Sequence, residues 1–204
     1  MRKVATLGLT LLAAFTLTAC SSSSSSKSSD SSSNAANSSS KKASKNEITM
    51  DKYNSIKLGS MTTGSGGSTE KLVKSMYGKP SSETETDIPG SNEKSKSYTW
   101  SNVGSSLAGA TVTTEFINGK AIGKGYADFG KSTKISLGTY DTLQTGTSFK
   151  AVKQQLGVPL TESIVGVTGI TSAQTLTYTS KDGKDSLMLM FTNNKLTSKT
   201  KTSI

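Results

Sequence analysis

Two stretches of the chain, beginning at Tyr53 and Tyr140, run through the same succession of sequence features, and this duplication constrains the fold most. Each opens with a short turn that ends in glycine and continues into a helix candidate with hydroxyl residues at its start. Hydroxyl side chains cap helix N-termini, and glycine followed by proline ends a helix. The candidates cover 68–77 and 147–156, each followed by Gly-x-Pro. Helices of about three turns are unstable alone, so each must pack on a sheet.

Strand signals follow each helix candidate. Alternating segments occur at 97–100 and 111–117 in the first stretch, and at 176–179 and 186–191 in the second. Asn-Gly, Asp-Gly and Asn-Asn pairs separate the segments, which is typical of antiparallel hairpins. The sequence therefore predicts an α+β fold of two repeats, at 49–130 and 131–204. Each repeat is predicted to be a short N-terminal helical segment packed on an antiparallel β-sheet.

Strand alternation predicts which side chains share a face of the sheet. The face covered by the helices is expected to hold apolar residues of both repeats: Val112, Thr114 and Phe116, with Leu187, Leu189 and Phe191. The opposite face then presents Glu115, Met188 and Met190. Methionine suits adaptable binding surfaces. The alternative is that the C-terminal strand is covered on both sides, which would place the two methionines in a core.

Tyr98 and Trp100 lie two positions apart, on one face of a predicted strand. Trp100 is the chain's single tryptophan, and tryptophan is enriched at binding hot spots. Its alignment with Tyr178 in the second stretch favours core packing instead. The candidate partner-binding residues are therefore Trp100, Tyr98, Glu115, Met188 and Met190. The carboxylates Glu83, Glu85 and Asp87 are assigned to a polar loop.

The N-terminus has the features of an export signal. Arg2 and Lys3 precede an apolar stretch at 4–17, which is too short to span a bilayer permanently. The stretch ends in Leu17-Thr18-Ala19-Cys20, which resembles the bacterial lipobox. The resemblance implies a lipoprotein signal peptide at 1–19, a diacylglyceryl group on the Cys20 sulfur, and an anchor in the extracellular face of the cell membrane. The alternative is an ordinary signal peptide with an incidental cysteine.

A polar segment connects this cysteine to the first repeat. Serine occupies 14 of the 20 positions from 21 to 40, and lysine, alanine and asparagine continue the run. Such a segment cannot bury enough apolar surface to offset the entropy of ordering. The sequence predicts that 20–48 is a lipidated cysteine followed by a disordered tether.

Composition excludes several classes of function. The chain has no histidine and one cysteine, so the commonest general base and the usual structural zinc ligands are missing. No metal site, cofactor or catalytic residue is predicted. The net charge of +10 comes from lysine, with Arg2 as the sole arginine, which argues against nucleic-acid recognition. The lysines form either a solvated surface or a weak attraction to anionic wall polymers.

The ordered motifs resemble a known family. The turns Ile-x-Leu-Gly and Leu-x-x-Gly, the helices ending in Gly-x-Pro, an aromatic strand and a Phe-x-Asn-x-Lys strand occur in both stretches. They resemble the β-lactamase-inhibitor-protein-like (BLIP-like) fold, which small outer-membrane lipoproteins of the BamE/SmpA type share. Over 52–204 the pattern is most similar to uncharacterised Gram-positive lipoproteins that carry this fold in tandem. The resemblance implies helix-capped antiparallel sheets side by side, with an open sheet face that binds protein.

These features favour a non-catalytic module that binds an unidentified protein at the cell envelope. One alternative, implied by the resemblance, is an inhibitor of a secreted or wall-active enzyme. Another is a wall-polymer hydrolase that uses only carboxylates, which requires two carboxyl groups at catalytic separation in a cleft.

Overall fold

The computed structural model describes residues 47–88, 94–167 and 171–204. The predicted signal peptide, Cys20 and the serine-rich tether up to residue 46 lie outside the described residues. Within the described ranges, no helix has the length and apolar character needed to cross a bilayer.

The first half of the described chain consists of two short helices followed by four strands. The helices are α1 (Met50–Ser55) and α2 (Glu70–Tyr77). The strands are β1 (Ser82–Asp87), β2 (Lys94–Trp100), β3 (Thr111–Ile117) and β4 (Lys120–Ala127), with a 3-10 turn at Ser105–Leu107 between β2 and β3.

The second half begins with a two-residue strand, β5 (Lys134–Ile135). Two helices follow, α3 (Leu137–Asp141) and α4 (Phe149–Leu156). The last strands are β6 (Thr161–Val167), β7 (Thr171–Ser180), β8 (Asp185–Thr192) and β9 (Lys195–Ser203).

The strands form one continuous sheet in the order β1-β2-β3-β4-β6-β7-β8-β9. All neighbours on this path are antiparallel, including β4 and β6, which join the two halves. The short strand β5 pairs in parallel with β7 beyond the start of β6. The predicted α+β class is confirmed, and the two halves share one sheet.

Both longer helices start and stop for the reasons read from the sequence. The hydroxyl of Thr69 accepts a hydrogen bond from the Leu72 amide (3.1 Å), and that of Ser148 accepts one from the Ala151 amide (3.2 Å). The helices end at Gly78 and Gly157, each with φ of 82° and ψ near −160°. This is an extended region open essentially to glycine alone, and it differs from the left-handed cap that glycine commonly forms at a helix end.

The core forms two clusters on the helix-covered face of the sheet. The first contains Trp100, Val112 and Phe116 with residues of α1 and α2, and the second contains Leu187 and Leu189 with residues of α3 and α4. The face assignment for Val112, Thr114 and Phe116 and for Leu187, Leu189 and Phe191 is confirmed, since all six are buried.

Several elements differ from the sequence-based expectation. The acidic segment assigned to a polar loop is strand β1, whose six residues are all exposed at one edge of the sheet. It contains no apolar residue because neither of its faces is covered, so hydrophobic alternation cannot reveal it. Strands β6 and β9 and the one-turn helices α1 and α3 were likewise not predicted.

Candidate functional site

The face of the sheet opposite the helices is called the open face below; by alternation it also includes Ile117 at the end of β3, which is 4% exposed. The pairing registers place its side chains in rows across β2 to β9. Apart from Ile117 and two glycines, these residues are half-buried or exposed. The rows contain Thr99, Thr113, Gly125, Ser163, Thr175, Met190 and Ser198; Ser97, Glu115, Gly123, Val165, Ala173, Thr192 and Lys195; and Thr161, Thr177, Met188 and Thr200.

The composition of the open face differs from that of the whole chain. Glu115 and, at the β9 edge, Lys195 are the ionisable residues of these rows, although the chain has 24 lysine and arginine residues. Depletion of charge, together with methionine, is the compositional signature of the centre of a protein interface. Seven strands at a spacing of ~4.8 Å make this face ~29 Å wide, which is wide enough for the 20–30 residues of a standard interface.

Met188 and Met190 lie where the sequence placed them, on the open face of β8. Their exposed fractions are 38% and 40%. Register places Met190 opposite Thr175 and Met188 opposite Thr177. The alternative that both sides of β8 are covered is therefore wrong, and the two methionines form an accessible apolar patch among threonines.

Glu115 is half-buried on β3, four strands away from this patch. A Cβ atom added to Gly123 would lie 3.0 Å from its Oε2 and 3.4 Å from Val165, so the carboxylate rests in the space that glycine leaves. Burial raises the pKa of the Glu115 carboxyl. A partner on the open face would meet this carboxyl group on β3 and Lys195 at the β9 edge.

Tyr98 and Trp100 are not on the open face. Their exposed fractions are 2% and 0%, and their rings meet edge to face with centroids 6.0 Å apart. Trp100 Nε1–H donates to the carbonyl of Gly78 (3.1 Å), and the Tyr98 hydroxyl donates to Glu70 Oε1 (2.7 Å). The assignment of these two side chains to a partner surface is wrong, because they pack under α2 and tie that helix to the sheet.

A buried carboxylate joins the two halves on the helix-covered side. Glu162 of β6 is 2% exposed. Its Oε1 accepts from the hydroxyl of Tyr53 in α1 (3.0 Å), and its Oε2 accepts from Lys153 Nζ in α4. Burying an ion costs free energy unless hydrogen bonds compensate it, and here both carboxylate oxygens are satisfied. Glu162 therefore serves as a structural connection between α1 and α4.

Lys124 of β4 reaches the C-terminus of α1. Its Nζ donates to the carbonyls of Tyr53 (2.9 Å), Ile56 (3.0 Å) and Asn54 (3.3 Å). A lysine at this end of a helix satisfies carbonyl groups that have no partner within the helix. Burial lowers the pKa of Lys124 to about 8, although the nearby Glu162 opposes the shift.

The glycine-rich loop at 59–68 uses several of its amides internally. The amides of Ser60, Gly64 and Gly67 donate to carbonyls of the same loop at 2.7–3.0 Å, so these groups are already used. The loop packs against the β6–β7 end of the sheet, where a shallow cleft of about 340 Å³ is lined by Ser60, Met61, Thr62, Ser65, Val167 and Thr171.

The rows of hydroxyl residues on the open face were missed by reasoning from the sequence. Threonines at alternate positions of β7, such as Thr175, Thr177 and Thr179, were a usable signal, because period-2 placement puts them on one side of a strand. The threonine of β3 and the serine of β6 join them through strand pairing, which no local pattern encodes.

A mostly antiparallel sheet with short helices on one face is consistent with a BLIP-like α+β fold. The matching family model, described as "Domain of Unknown Function with solved-structure structure (DUF3862)", covers residues 44–204. The chain belongs to this family. A crystal structure from Streptococcus mutans, described as a "putative beta-lactamase inhibitor protein", is similar in fold. It superposes with a TM-score of 0.59 at 24% identity, over 74% of this chain and 92% of that chain. Curated proteins give no significant match.

Proposed function

We propose that this protein is a non-catalytic, surface-anchored binding module that holds a protein partner on the open face of its sheet. The observation that supports it best is the contrast between a strongly basic chain and a wide face whose rows hold two ionisable residues, Glu115 and the edge residue Lys195, and two exposed methionines. Charged groups are costly to desolvate, so their scarcity favours a surface that becomes buried on binding.

We further infer that the module is a tandem duplication, at 49–130 and 131–204. Corresponding contacts support it. Trp100 Nε1–H donates to Gly78, as the Tyr178 hydroxyl donates to Gly157. Lys199 Nζ donates to the carbonyls at the end of α3, as Lys124 does at the end of α1.

The pairing register supports the duplication as well. Each half has a β-bulge before the phenylalanine of its third long strand, at Glu115/Phe116 and at Met190/Phe191. Glu83 faces Tyr98 in the first half, and Glu162 faces Leu176 in the second half, at the corresponding positions of the first two strands. Duplication followed by fusion of the sheets explains why the open face is twice as wide as one repeat could provide.

The proposed location is the extracellular face of the cell membrane, with the fold attached through a lipid on Cys20 and the segment 20–48. The sequence Leu17-Thr18-Ala19-Cys20 supports this proposal. Replacement of Cys20 by serine is expected to release the protein from the membrane fraction. Retention of the Cys20→Ser variant in that fraction would contradict the proposed anchor.

Quantitative capture from the native envelope tests the binding function. The open-face variant Met188→Lys/Met190→Lys is compared with a matched control, Leu72→Lys/Val158→Lys, whose residues are 47% and 36% exposed and lie on the helix side. We expect the open-face variant to lose the captured partner and the control to retain it. Equal recovery by both variants would exclude the open face as the binding surface.

Inhibition of a secreted or wall-active enzyme is a second candidate function, and the structural similarity to the Streptococcus mutans protein favours it. Under this second hypothesis the protein bound on the open face is an enzyme. Direct inhibition assays with purified β-lactamases and wall-active enzymes decide between an inhibitor and a non-inhibitory binding module.

A wall-polymer hydrolase has less support. Among the described carboxylates, Glu162 is the deeply buried one, and both of its oxygens are bound by Lys153 and Tyr53. It is therefore poorly placed to transfer a proton to a substrate. Release of soluble fragments from purified wall polymer, abolished by Glu162→Gln, would support the hydrolase instead.

A further inference from the structure

The two edges of the sheet are opposite in charge. Edge strand β1 presents Glu83, Glu85 and Asp87, and edge strand β9 presents Lys195, Lys199 and Lys201. In the part of the chain that the structure describes, no strand pairs with the outer side of either one. Unpaired edges are templates for strand addition, and charge on an edge normally prevents it. In a head-to-tail contact between two copies, however, the acidic edge of one copy meets the basic edge of the other, and the opposite charges attract.

The molecule already contains one edge-to-edge pairing of this kind, in which β4 of the first half pairs with β6 of the second half; it is called the internal joint below. Its register pairs Lys124 with Ile164 and Tyr126 with Glu162. Strand β9 occupies the position in the second half that β4 occupies in the first, since Lys120 and Lys195 follow the same turns and pair with the ends of β3 and β8. Likewise, β1 corresponds to β6, since each follows the Gly-x-Pro segment after a helix. The edge strands β9 and β1 are therefore the unpaired counterparts of β4 and β6, which form the internal joint.

We propose that β9 of one copy pairs antiparallel with β1 of a second copy, which extends the sheet from one molecule to the next. The register of the internal joint, carried over to these strands, places Lys201 opposite Glu83 and Lys199 opposite Glu85. It also places Thr200 opposite Thr84 and Ser198 opposite Thr86. The opposite charges of Lys201 and Glu83 and the paired hydroxyl residues are favourable cross-strand neighbours, whereas Lys199 Nζ already donates to the carbonyls of Tyr140 and Asp141.

The geometry of the internal joint also explains why this contact is weaker than the joint itself. A Cβ atom on Gly125 would lie 2.7 Å from the carbonyl oxygen of Glu162, so glycine permits a close approach of β4 to β6. Thr200 takes the corresponding place in β9, and its side chain holds the second copy at ordinary strand spacing. The contact is heterologous, so it produces open chains of molecules and not a closed dimer.

Charge reversal at the directly opposed pair tests the proposal. Full-length chains carrying Cys20→Ser are studied by sedimentation velocity over a concentration series. Glu83→Lys alone and Lys201→Glu alone each place like charges opposite each other, and we expect the association constant to fall about tenfold in each. An equimolar mixture of the two variants restores opposite charges at every joint and is expected to recover association. Lys71→Glu, on the exposed side of α2, is the control for net charge and is expected to associate like the parent.

Cysteine pairs test the register. Thr84→Cys with Thr200→Cys, in the Cys20→Ser chain, is expected to give a ladder of covalent oligomers on mild oxidation. The two positions lie at opposite edges of one molecule, ~34 Å apart at ordinary strand spacing, so they cannot bridge internally. Thr86→Cys with Thr200→Cys is out of register by two residues and is expected to give no ladder. Monomeric sedimentation of the parent at every concentration, or equal ladders from both cysteine pairs, would overturn the proposal.

Discussion

Removal of Lys153 is expected to destabilise the fold far more than removal of Lys74, although both lysines occupy the same position of corresponding helices. Lys74 lies on α2 and pairs at the surface with Glu70 (3.0 Å) and Glu83 (3.6 Å), whose side chains are 25% and 54% exposed. Lys153 lies on α4 and pairs with Glu162, whose side chain is 2% exposed. The two sites therefore differ mainly in the burial of the carboxylate.

The expected magnitudes follow from that difference. Lys74→Met removes exposed ion pairs and is expected to cost at most about 1 kcal/mol. Lys153→Met leaves the buried Glu162 carboxylate with the Tyr53 hydroxyl as its remaining partner. Losing one member of a buried pair costs about 3–5 kcal/mol. Because the Lys153 side chain is itself 29% exposed, solvent reduces the expected cost to about 2–3 kcal/mol.

Urea unfolding provides the assay, followed by circular dichroism and by the fluorescence of Trp100, the single tryptophan, which is fully buried. The double variant Lys153→Met/Glu162→Gln removes the orphaned charge and is expected to recover at least about 1 kcal/mol over Lys153→Met. Equal losses in the free energy of unfolding for Lys153→Met and Lys74→Met would refute the reasoning that Glu162 connects the two halves as a buried ion.

Three further outcomes are expected. Burial raises the pKa of Glu115, so the ionised side chain lowers the free energy of unfolding once the pH exceeds the carboxyl pKa of the unfolded chain. Glu115→Gln is therefore expected to stabilise the fold at neutral pH. This stabilisation is expected to vanish at acidic pH in unfolding titrations. Burial lowers the pKa of Lys124 to about 8, so the folded chain loses this proton at a lower pH than the unfolded chain. The free energy of unfolding of the wild type, relative to that of Lys124→Met, is therefore expected to rise with pH above 8. A difference between the two that does not change with pH in urea unfolding would contradict this. Gly125→Ala puts a methyl group 2.7 Å from the Glu162 carbonyl and is expected to cost about 1–3 kcal/mol, whereas Gly138→Ala, with open space around it, is not destabilising in thermal melts.

The elements that the sequence revealed are those in which a local pattern and tertiary packing agree. Helices α2 and α4 have a hydroxyl cap, an apolar face and a glycine stop within ten residues, so their limits could be predicted to within two residues. Strands β3 and β8 alternate because one face is buried. The exposure of Met188 and the burial of Leu189 follow from that alternation.

The elements that the sequence concealed depend on contacts distant along the chain. Strand β1 has no buried residue, and its assignment rests on pairing with β2. The role of Glu162 depends on Tyr53, which is 109 residues away. The aromatic pair Tyr98 and Trp100 was ambiguous, because a large amphipathic ring suits both a core and an interface. Helix α2 packs over the two rings and buries them in the core, and no local sequence pattern specifies that packing.

Site-specific photo-crosslinking in living cells tests the central claim most directly. A photoreactive amino acid replaces Met190 on the open face or, as the matched control, Leu72 on the helix side, which is similarly exposed at 47% against 40%. Adducts are isolated through an affinity tag on this chain and identified by mass spectrometry. The proposed function predicts a discrete protein adduct from position 190 and none from position 72. Adducts from position 72 alone, or none from position 190, would contradict it.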